Sequence, residues 1–251
     1  RADVSLDAGA RAMVAAAVEA FGGIDVLVNN AGSEVQGSID ALADADFDGM
    51  LRANVVSVFV CTRAALVELR KSRGVVVNLG STVVARPPRG RFGYVASKGA
   101  VEAMSRALAL DLGRDGIRIN VIRPGIIPSE LRGLTEEEER ARFATGIAFG
   151  RQALSEVGDA HDVAEAIAWL AGPGGRFVTG AVIDVDGGFT LGAIVITLIQ
   201  INGFREENKV DHAIVQKRLD TVIDMVAKQG ARMTSHLEWH LDKKKTEDQN
   251  K

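Results

Sequence analysis

The chain has 251 residues, of which 47% are hydrophobic and 25% are charged, so it has the composition of a globular protein with one or two domains. Its 30 Lys and Arg residues nearly balance its 33 Asp and Glu residues, which excludes a basic nucleic-acid-binding footprint over the whole chain. The single cysteine, Cys61, excludes an internal disulfide framework and a zinc site built on several cysteines. We find no apolar run of membrane-spanning length and no signal-peptide pattern, and we therefore expect a cytoplasmic protein. The first residue is Arg1 rather than Met, which favours an upstream segment that is missing or was removed.

Lysine usage divides the chain near residue 193. Residues 1–193 contain two Lys and 18 Arg, whereas residues 194–251 contain seven Lys and three Arg. All five Pro and 25 of the 27 Gly also precede this boundary. We therefore interpret residues 1–193 as one unit and residues 194–251 as a tail with a different history; a charged C-terminal extension is the simpler alternative.

The first part alternates helical patterns with short apolar runs. Helical spacing of apolar residues predicts helices over Asp7–Phe21, Asp46–Lys71, Tyr94–Leu112 and Asp162–Ala171. The apolar runs predict strands over Ile24–Asn30, Gly74–Gly80, Ile117–Ile122 and Ala181–Asp186. Strands that are apolar on both faces and separated by helices are typical of an α/β fold with a doubly wound parallel sheet covered on both faces. Such sheets bind ligands at the carboxyl ends of their strands, so candidate functional residues are sought there.

A tyrosine and a lysine at the start of the third predicted helix suggest acid–base chemistry. Tyr94 and Lys98 are four residues apart, so they share one helix face. An ammonium group beside a phenol favours the phenolate and lowers its pKa from about 10, which makes Tyr94 usable as a general acid or base. Ser81 follows the second predicted strand and is able to donate a hydrogen bond to a carbonyl or alkoxide oxygen. Most such Tyr–Lys pairs are solvated helix faces, but Tyr94 is the only tyrosine of the chain.

With these residues in place, the chain resembles the short-chain dehydrogenase/reductase family over residues 1–193. The interval of thirteen residues from Ser81 to Tyr94 is that of the family, and the matching motifs occur in the family's order. The resemblance implies a Rossmann-like fold and reversible hydride transfer between NAD(P)(H) and a carbonyl or secondary alcohol. The matching stretches are Ala2–Val4, Gly23–Gly32, Asn54-Val55, Asn78–Ser81, Tyr94–Lys98, Asn120–Gly125 and Val185–Gly188.

The resemblance also implies roles for individual residues. Tyr94 would be the acid/base, Lys98 would lower its pKa and hold the nicotinamide ribose, and Ser81 would orient the substrate carbonyl. Asn54 would hold a water in the proton relay. The segment Ile126–Phe149 would be the substrate loop. The cofactor would contact Asp3, Val4, Asn30, Ala31, Gly32, Tyr94, Lys98, Pro124, Gly125, Ile127 and Ser129, the last standing where the family pattern has Thr.

The Gly-rich turn that binds the cofactor pyrophosphate in the family does not occur in the 251 residues. We therefore expect weakened cofactor binding and leave the choice between NAD and NADP open. The pattern also predicts that the N-terminal strands of the sheet are missing or are replaced by the tail. The tail itself predicts a β-α-β-like unit, with strand patterns over Ile194–Ile201 and Ala231–Trp239 around a helix over Arg205–Gln229. Its short connection and acidic first loop favour an antiparallel strand over a relocated cofactor site.

Two functions from different classes fit these observations. The first is an NAD(P)(H)-dependent oxidoreductase acting on a small carbonyl or alcohol substrate. The alternative is a truncated or chimeric α/β domain that keeps the catalytic residues, binds cofactor poorly and is not an active enzyme. We expect no metal site, no nucleic-acid or membrane partner, and a homodimer or homotetramer, because the family counterparts of helices Asp46–Lys71 and Tyr94–Leu112 form subunit contacts.

Overall fold

The computed structural model describes residues 2–128, 135, 137–138, 141, 152–154, 156 and 158–191. All of these residues belong to one compact unit, Arg1–Ile194. The predicted elements of the tail and most of the predicted substrate loop lie outside the described residues and stay predictions.

The predicted helices and strands of the first part are all present, with ends that differ by a few residues at most. Helix α1 has the predicted bounds because Gly22 follows it with a left-handed φ of 81°, a conformation that glycine adopts without steric cost. The second predicted helix begins two residues earlier than expected and has three parts. The observed elements are α1 Asp7–Phe21, β1 Val26–Asn29, α2 Asp44–Leu51, a π-helical segment Arg52–Val56, α3 Ser57–Ser72, β2 Val75–Leu79, α4 Phe92–Leu112, β3 Arg118–Pro124, α5 Ala160–Ala171 and β4 Val182–Val185.

The four strands form one parallel sheet in the order β1-β2-β3-β4. The register aligns Asn29 with Asn78, and Leu79 with Ile122, so the carboxyl ends of the strands lie along one edge. This arrangement confirms the predicted Rossmann-like parallel sheet. The segments that follow β1, β2 and β3 bring Asn30, Ser81 and Gly125 to that edge.

Helices cover both faces of the sheet. On one face, Ala10 of α1, Leu69 of α3 and Ala109 of α4 pack in one core against strand residues such as Val76. On the other face, α5 packs through Val163 and Leu170 against Val77 and Ile122. Each successive strand lies on the same side of the strand before it, but α5, which precedes β4, covers the opposite face of the sheet from α3 and α4. The β3-to-β4 crossover therefore has the opposite hand to the two crossovers before it.

The helical stretch Asp44–Ser72 contains 29 residues and, by length and composition alone, is apolar enough to cross a membrane. The described residues contain one such stretch. It lies against α1, α4 and β1, and its residues Val60, Ala65 and Leu69 are buried in the core. Its apolar composition is therefore that of a core helix of the sheet.

Candidate active site

A cavity of about 880 Å³ opens at the carboxyl ends of the strands. It brings together Ser81, Tyr94 and Lys98, which the sequence predicted as catalytic. The predicted cofactor residues on the loops after β1 and β3 line the same cavity: Asn30, Ala31, Gly32, Pro124, Gly125 and Ile127.

Lys98 is buried beneath this cavity with 5% of its surface exposed. Its ammonium Nζ donates a hydrogen bond of 2.7 Å to the carbonyl oxygen of Leu79 at the end of β2. The same Nζ lies 5.7 Å from the centroid of the Tyr94 ring. Burial lowers the pKa of Lys98 to about 8, because desolvation disfavours the charged form. The lysine therefore lies beside the Tyr94 ring.

Ser81 owes its position to the glycine before it. A Cβ at Gly80 would lie 2.7 Å from Cγ1 of Val121 on β3, so this position requires a residue without a side chain. The close approach allows the Gly80 amide to donate a 2.7 Å hydrogen bond to the Ile122 carbonyl. Ser81 then begins a short 3₁₀ turn, and its Oγ accepts a hydrogen bond of 3.4 Å from the Val83 amide.

Asn54 is buried behind the cavity wall rather than among the residues that line it. Its Oδ1 accepts a hydrogen bond from the Ser33 amide, and its Nδ2 donates to the Ser33 carbonyl and to Ser97 Oγ, all at 2.8–2.9 Å. Ser97 Oγ in turn donates to the Tyr94 carbonyl at 2.8 Å. The Asn54 side chain thus joins the loop after β1 to the first turns of α4. The role of Asn54 as a water ligand stays a prediction.

Backbone segments that carry predicted cofactor residues form two parts of the cavity wall. A Cβ at Gly32 would lie 2.7 Å from Asn54 Oδ1 and 3.7 Å from Lys98 Nζ, so the backbone there passes close to both side chains. Pro124 and Gly125 form the facing wall, held by the Thr82 hydroxyl, which donates to the Pro124 carbonyl at 3.2 Å.

Two predicted cofactor residues lie away from this cavity. Asp3 and Val4 are not among the residues that line the cavity: the Asp3 carboxylate accepts hydrogen bonds from the Ser5 amide and hydroxyl before α1. The Val4 carbonyl lies against Cys61 Sγ at 3.7 Å. Ser129 lies outside the described residues.

Two charged contacts of the cavity wall were not predicted. Arg91 Nε lies 3.0 Å from Glu34 Oε1, and both side chains are largely buried. Arg86 stacks over the Phe189 ring at 4.4 Å and donates to the Phe189 carbonyl at 2.7 Å, which joins the loop after β2 to the chain after β4. Both contacts span more than 50 residues of sequence, and no local motif signals them. Within the described part of the chain, no three metal-ligating side chains cluster together.

The chain matches known proteins over the same residues. A family model described as enoyl-(acyl carrier protein) reductase matches residues 1–190. The chain is 37% identical to meso-2,3-butanediol dehydrogenase of Serratia marcescens, over 75% of this chain and 73% of the relative. It is 33% identical to a 3-oxoacyl-[acyl-carrier-protein] reductase of Haemophilus influenzae, over 68% of this chain and 69% of the relative.

Solved structures agree with these sequence matches. A blue fluorescent protein from a metagenomic library, solved in complex with NADPH, superposes with a TM-score of 0.65 at 37% identity, over 75% of this chain and 74% of that one. The ligand-free aldohexose dehydrogenase of Thermoplasma acidophilum superposes with a TM-score of 0.69 at 26% identity, over 75% and 76%. The fold, the Ser–Tyr–Lys site and these matches agree, and the chain belongs to the short-chain dehydrogenase/reductase family of NAD(P)-dependent oxidoreductases.

Proposed function

We propose that the chain interconverts a small-molecule carbonyl and the corresponding secondary alcohol, with Tyr94 as the acid/base. The observation that carries the proposal is that Ser81, Tyr94 and Lys98 line one cavity, with Lys98 Nζ 5.7 Å from the Tyr94 ring centroid. The relatives' names, which include a butanediol dehydrogenase and a 3-oxoacyl reductase, support a carbonyl or alcohol substrate. They give no support to the inactive-domain alternative.

Each of the three residues has one task in this reaction. Tyr94 donates its phenolic proton to the substrate oxygen during reduction and accepts that proton back during oxidation. Lys98 stabilises the phenolate that Tyr94 then carries, because its positive charge lies beside the ring. The Ser81 hydroxyl donates a hydrogen bond to the substrate oxygen and orients the carbonyl toward Tyr94.

A bound nicotinamide cofactor would supply or accept the hydride. The residues that would hold it are Lys98 at the ribose, the backbone of Ala31 and Gly32 on one side, and Pro124 and Gly125 on the other. Apolar wall residues such as Ile126 and Ile127 would limit the access of water to the reacting carbon.

The test is the turnover of Tyr94→Phe, which keeps the ring and removes the hydroxyl. Reduction of diacetyl and of a 3-oxoacyl thioester would be followed by loss of NADH and NADPH absorbance. We expect the turnover of the variant to fall by about 10²-fold or more, the usual loss when a general acid is removed. Ser72→Ala is the control, because it removes a hydroxyl whose 2.9 Å bond to the Ile24 carbonyl lies away from the cavity.

Titration of the parent with NADH and NADPH separates the two functions. Saturable binding with turnover that Tyr94→Phe abolishes supports the enzyme. Absence of saturable binding and of turnover would support the inactive-domain alternative, and turnover of Tyr94→Phe within a few-fold of the parent would overturn the role of Tyr94.

A further inference from the structure

A buried ion pair joins the catalytic helix α4 to the end of β3. Arg123 donates to the Glu102 carboxylate through Nε and Nη2, each bond at 2.6 Å. The Glu102 side chain is 4% exposed and that of Arg123 is 16% exposed. Two further charged groups face the pair: Asp184 on β4 lies 3.4 Å from Arg123 Nη1, and Arg106, one turn along α4, lies with its Nη2 3.7 Å from Glu102 Oε2. This two-bond geometry fixes both the distance and the orientation of the two partners.

Glu102 of the ion pair lies on the same face of α4 as Tyr94 and Lys98. Tyr94, Lys98 and Glu102 follow one another at intervals of four residues, so they share a helix face, and all three are buried. Lys98 is bonded to the Leu79 carbonyl at the end of β2, and Glu102 is bonded one turn later to β3. Two anchors one turn apart fix the helix against both sliding and rotation.

The side chain of Arg123 reaches α4 across the end of β2. Its Cγ lies 3.3 Å from where a Cβ of Gly80 would be, so the missing side chain at Gly80 leaves the path open. Arg123 is also followed directly by Pro124 and Gly125 of the cavity wall. The ion pair therefore connects the helix that carries Tyr94 to the wall that faces it.

We propose that Glu102 and Arg123 are positioning residues, whose ion pair sets where α4 holds Tyr94 and Lys98 against the ends of β2 and β3. Neither residue lines the cavity, so neither is expected to touch substrate or cofactor. The inference rests on the proposed role of Tyr94. It identifies, in addition, the ion pair that keeps Lys98 within reach of the Tyr94 phenol.

The single tyrosine of the chain allows a direct test, since a phenolate absorbs at longer wavelength than a phenol and Tyr94 is its only source. The full-length protein would be titrated spectrophotometrically as the parent and as Glu102→Gln, Arg123→Lys and Arg123→Met. The other charged groups described along the cavity wall are Lys98, Glu34, Arg86 and Arg91, and those beside the ion pair are Asp184 and Arg106; all are the same in these proteins.

A positioning role and a simple charge effect predict different changes in the pKa of Tyr94. Through space, loss of the Glu102 charge would lower the pKa of Tyr94, loss of the Arg123 charge would raise it, and Arg123→Lys would leave it unchanged. If the pair positions the helix, all three variants loosen the Lys98 contact and raise the pKa of Tyr94. We expect a rise of about one pH unit, a part of the one to three units that a close opposite charge supplies.

Arg70→Met is the matched control, because it removes an arginine whose 2.7 Å bond to the Asp115 carboxylate lies beyond the other end of α4, where neither partner lines the cavity. We expect the titration of Tyr94 to be unchanged in this variant. A lower pKa in Glu102→Gln, or a parent-like titration in Arg123→Lys, would overturn the inference while leaving the function intact. A parent whose tyrosine titrates like free tyrosine would overturn the proposed function, and the inference with it. Thermal unfolding of each variant verifies that it is folded. If Arg123→Met does not fold, the titration of Arg123→Lys tests the inference in its place.

Discussion

At the scale of single residues, Lys98 combines a functional gain with a cost in stability. Its ammonium is almost fully buried, and its single described hydrogen bond goes to the Leu79 carbonyl. A buried cation loses its hydration, which lowers the pKa of Lys98 from 10.5 to about 8. The folded protein therefore binds this proton less tightly than the unfolded chain does, and folding is less favourable wherever the lysine is charged.

We predict that Lys98→Met stabilises the protein near neutral pH. A pKa lowered from 10.5 to about 8 corresponds to about 3 kcal/mol against folding below pH 8. The variant also loses the hydrogen bond to the Leu79 carbonyl, which reduces the gain in its free energy of unfolding. Denaturant unfolding at pH 7 should show Lys98→Met to be about 1–2 kcal/mol more stable than the parent. Between pH 8 and 10.5 the unfolded parent binds more protons than the folded parent, so the parent gains stability and the difference should shrink. A variant less stable than the parent at pH 7 would contradict the prediction.

Part of this site could be predicted from the sequence. The predictable part depends on residues that are close together in the chain, and the rest depends on contacts between distant residues. The spacing of Ser81, Tyr94 and Lys98 is local, so it is visible in the chain itself. The partners that hold them are not local: Asn54 bonds to Ser33 and Ser97, which are 21 and 43 residues away. The ion pairs of Glu34 with Arg91 and of Glu102 with Arg123 likewise depend on how the loops and strands come together.

At the scale of elements, the stretch Asp44–Ser72 shows where periodicity fails to predict detail. The apolar pattern predicts one helix over Asp46–Lys71, whereas the structure interrupts it with the π-helical segment Arg52–Val56. This wider turn contains Asn54, whose side chain bonds to the loop after β1 and to α4. The interruption coincides with those tertiary contacts, which a pattern of apolar residues does not contain.

We predict that Arg118 is the main polar anchor of α5. Its guanidinium donates to the carbonyls of Leu170, Gly175 and Val178 at 2.6–3.1 Å, just where α5 ends and its last carbonyls need partners. Arg118→Met should lower the free energy of unfolding by about 2–4 kcal/mol, since the Leu170 and Gly175 carbonyls lose this donor, whereas the Val178 carbonyl keeps its 2.9 Å bond from the Asn120 side chain. The exposed Arg176 in the same region provides the control, and Arg176→Met should unfold within about 0.5 kcal/mol of the parent. Equal stability of the two variants would show that α5 is held by its apolar face alone.

At the scale of the whole molecule, we predict a homodimer or homotetramer formed through α3 and α4. Exposed residues on these helices are apolar, with Phe59 and Val67 on α3 and Leu110 on α4, and Ala103 and Ala107 permit close helix approach. Light scattering of the full chain at micromolar concentration should give a multiple of the mass of one chain.

A bulky charge on α4 should dissociate this oligomer. Ala103→Arg is expected to give monomers, whereas Ala16→Arg, the same substitution on the exposed face of α1, should not. A monomeric parent, or dissociation by both variants alike, would contradict an interface through α3 and α4.

The helices of the described residues cover the two faces of the sheet as two separate layers, because α5, between β3 and β4, lies on the opposite face from α1, α3 and α4. These two layers need not unfold together. Helices α1, α3 and α4 share one core, whereas α5 contributes to a second core on the opposite side of the sheet. The second layer can detach without exposing the first, so its local opening should cost less than global unfolding. Amide hydrogen exchange should therefore be faster in α5 than in α4, and Arg118→Met should speed exchange in α5 while leaving α4 close to the parent. Equal protection of α4 and α5 would mean that the sheet transmits every opening and that the protein unfolds as one cooperative unit.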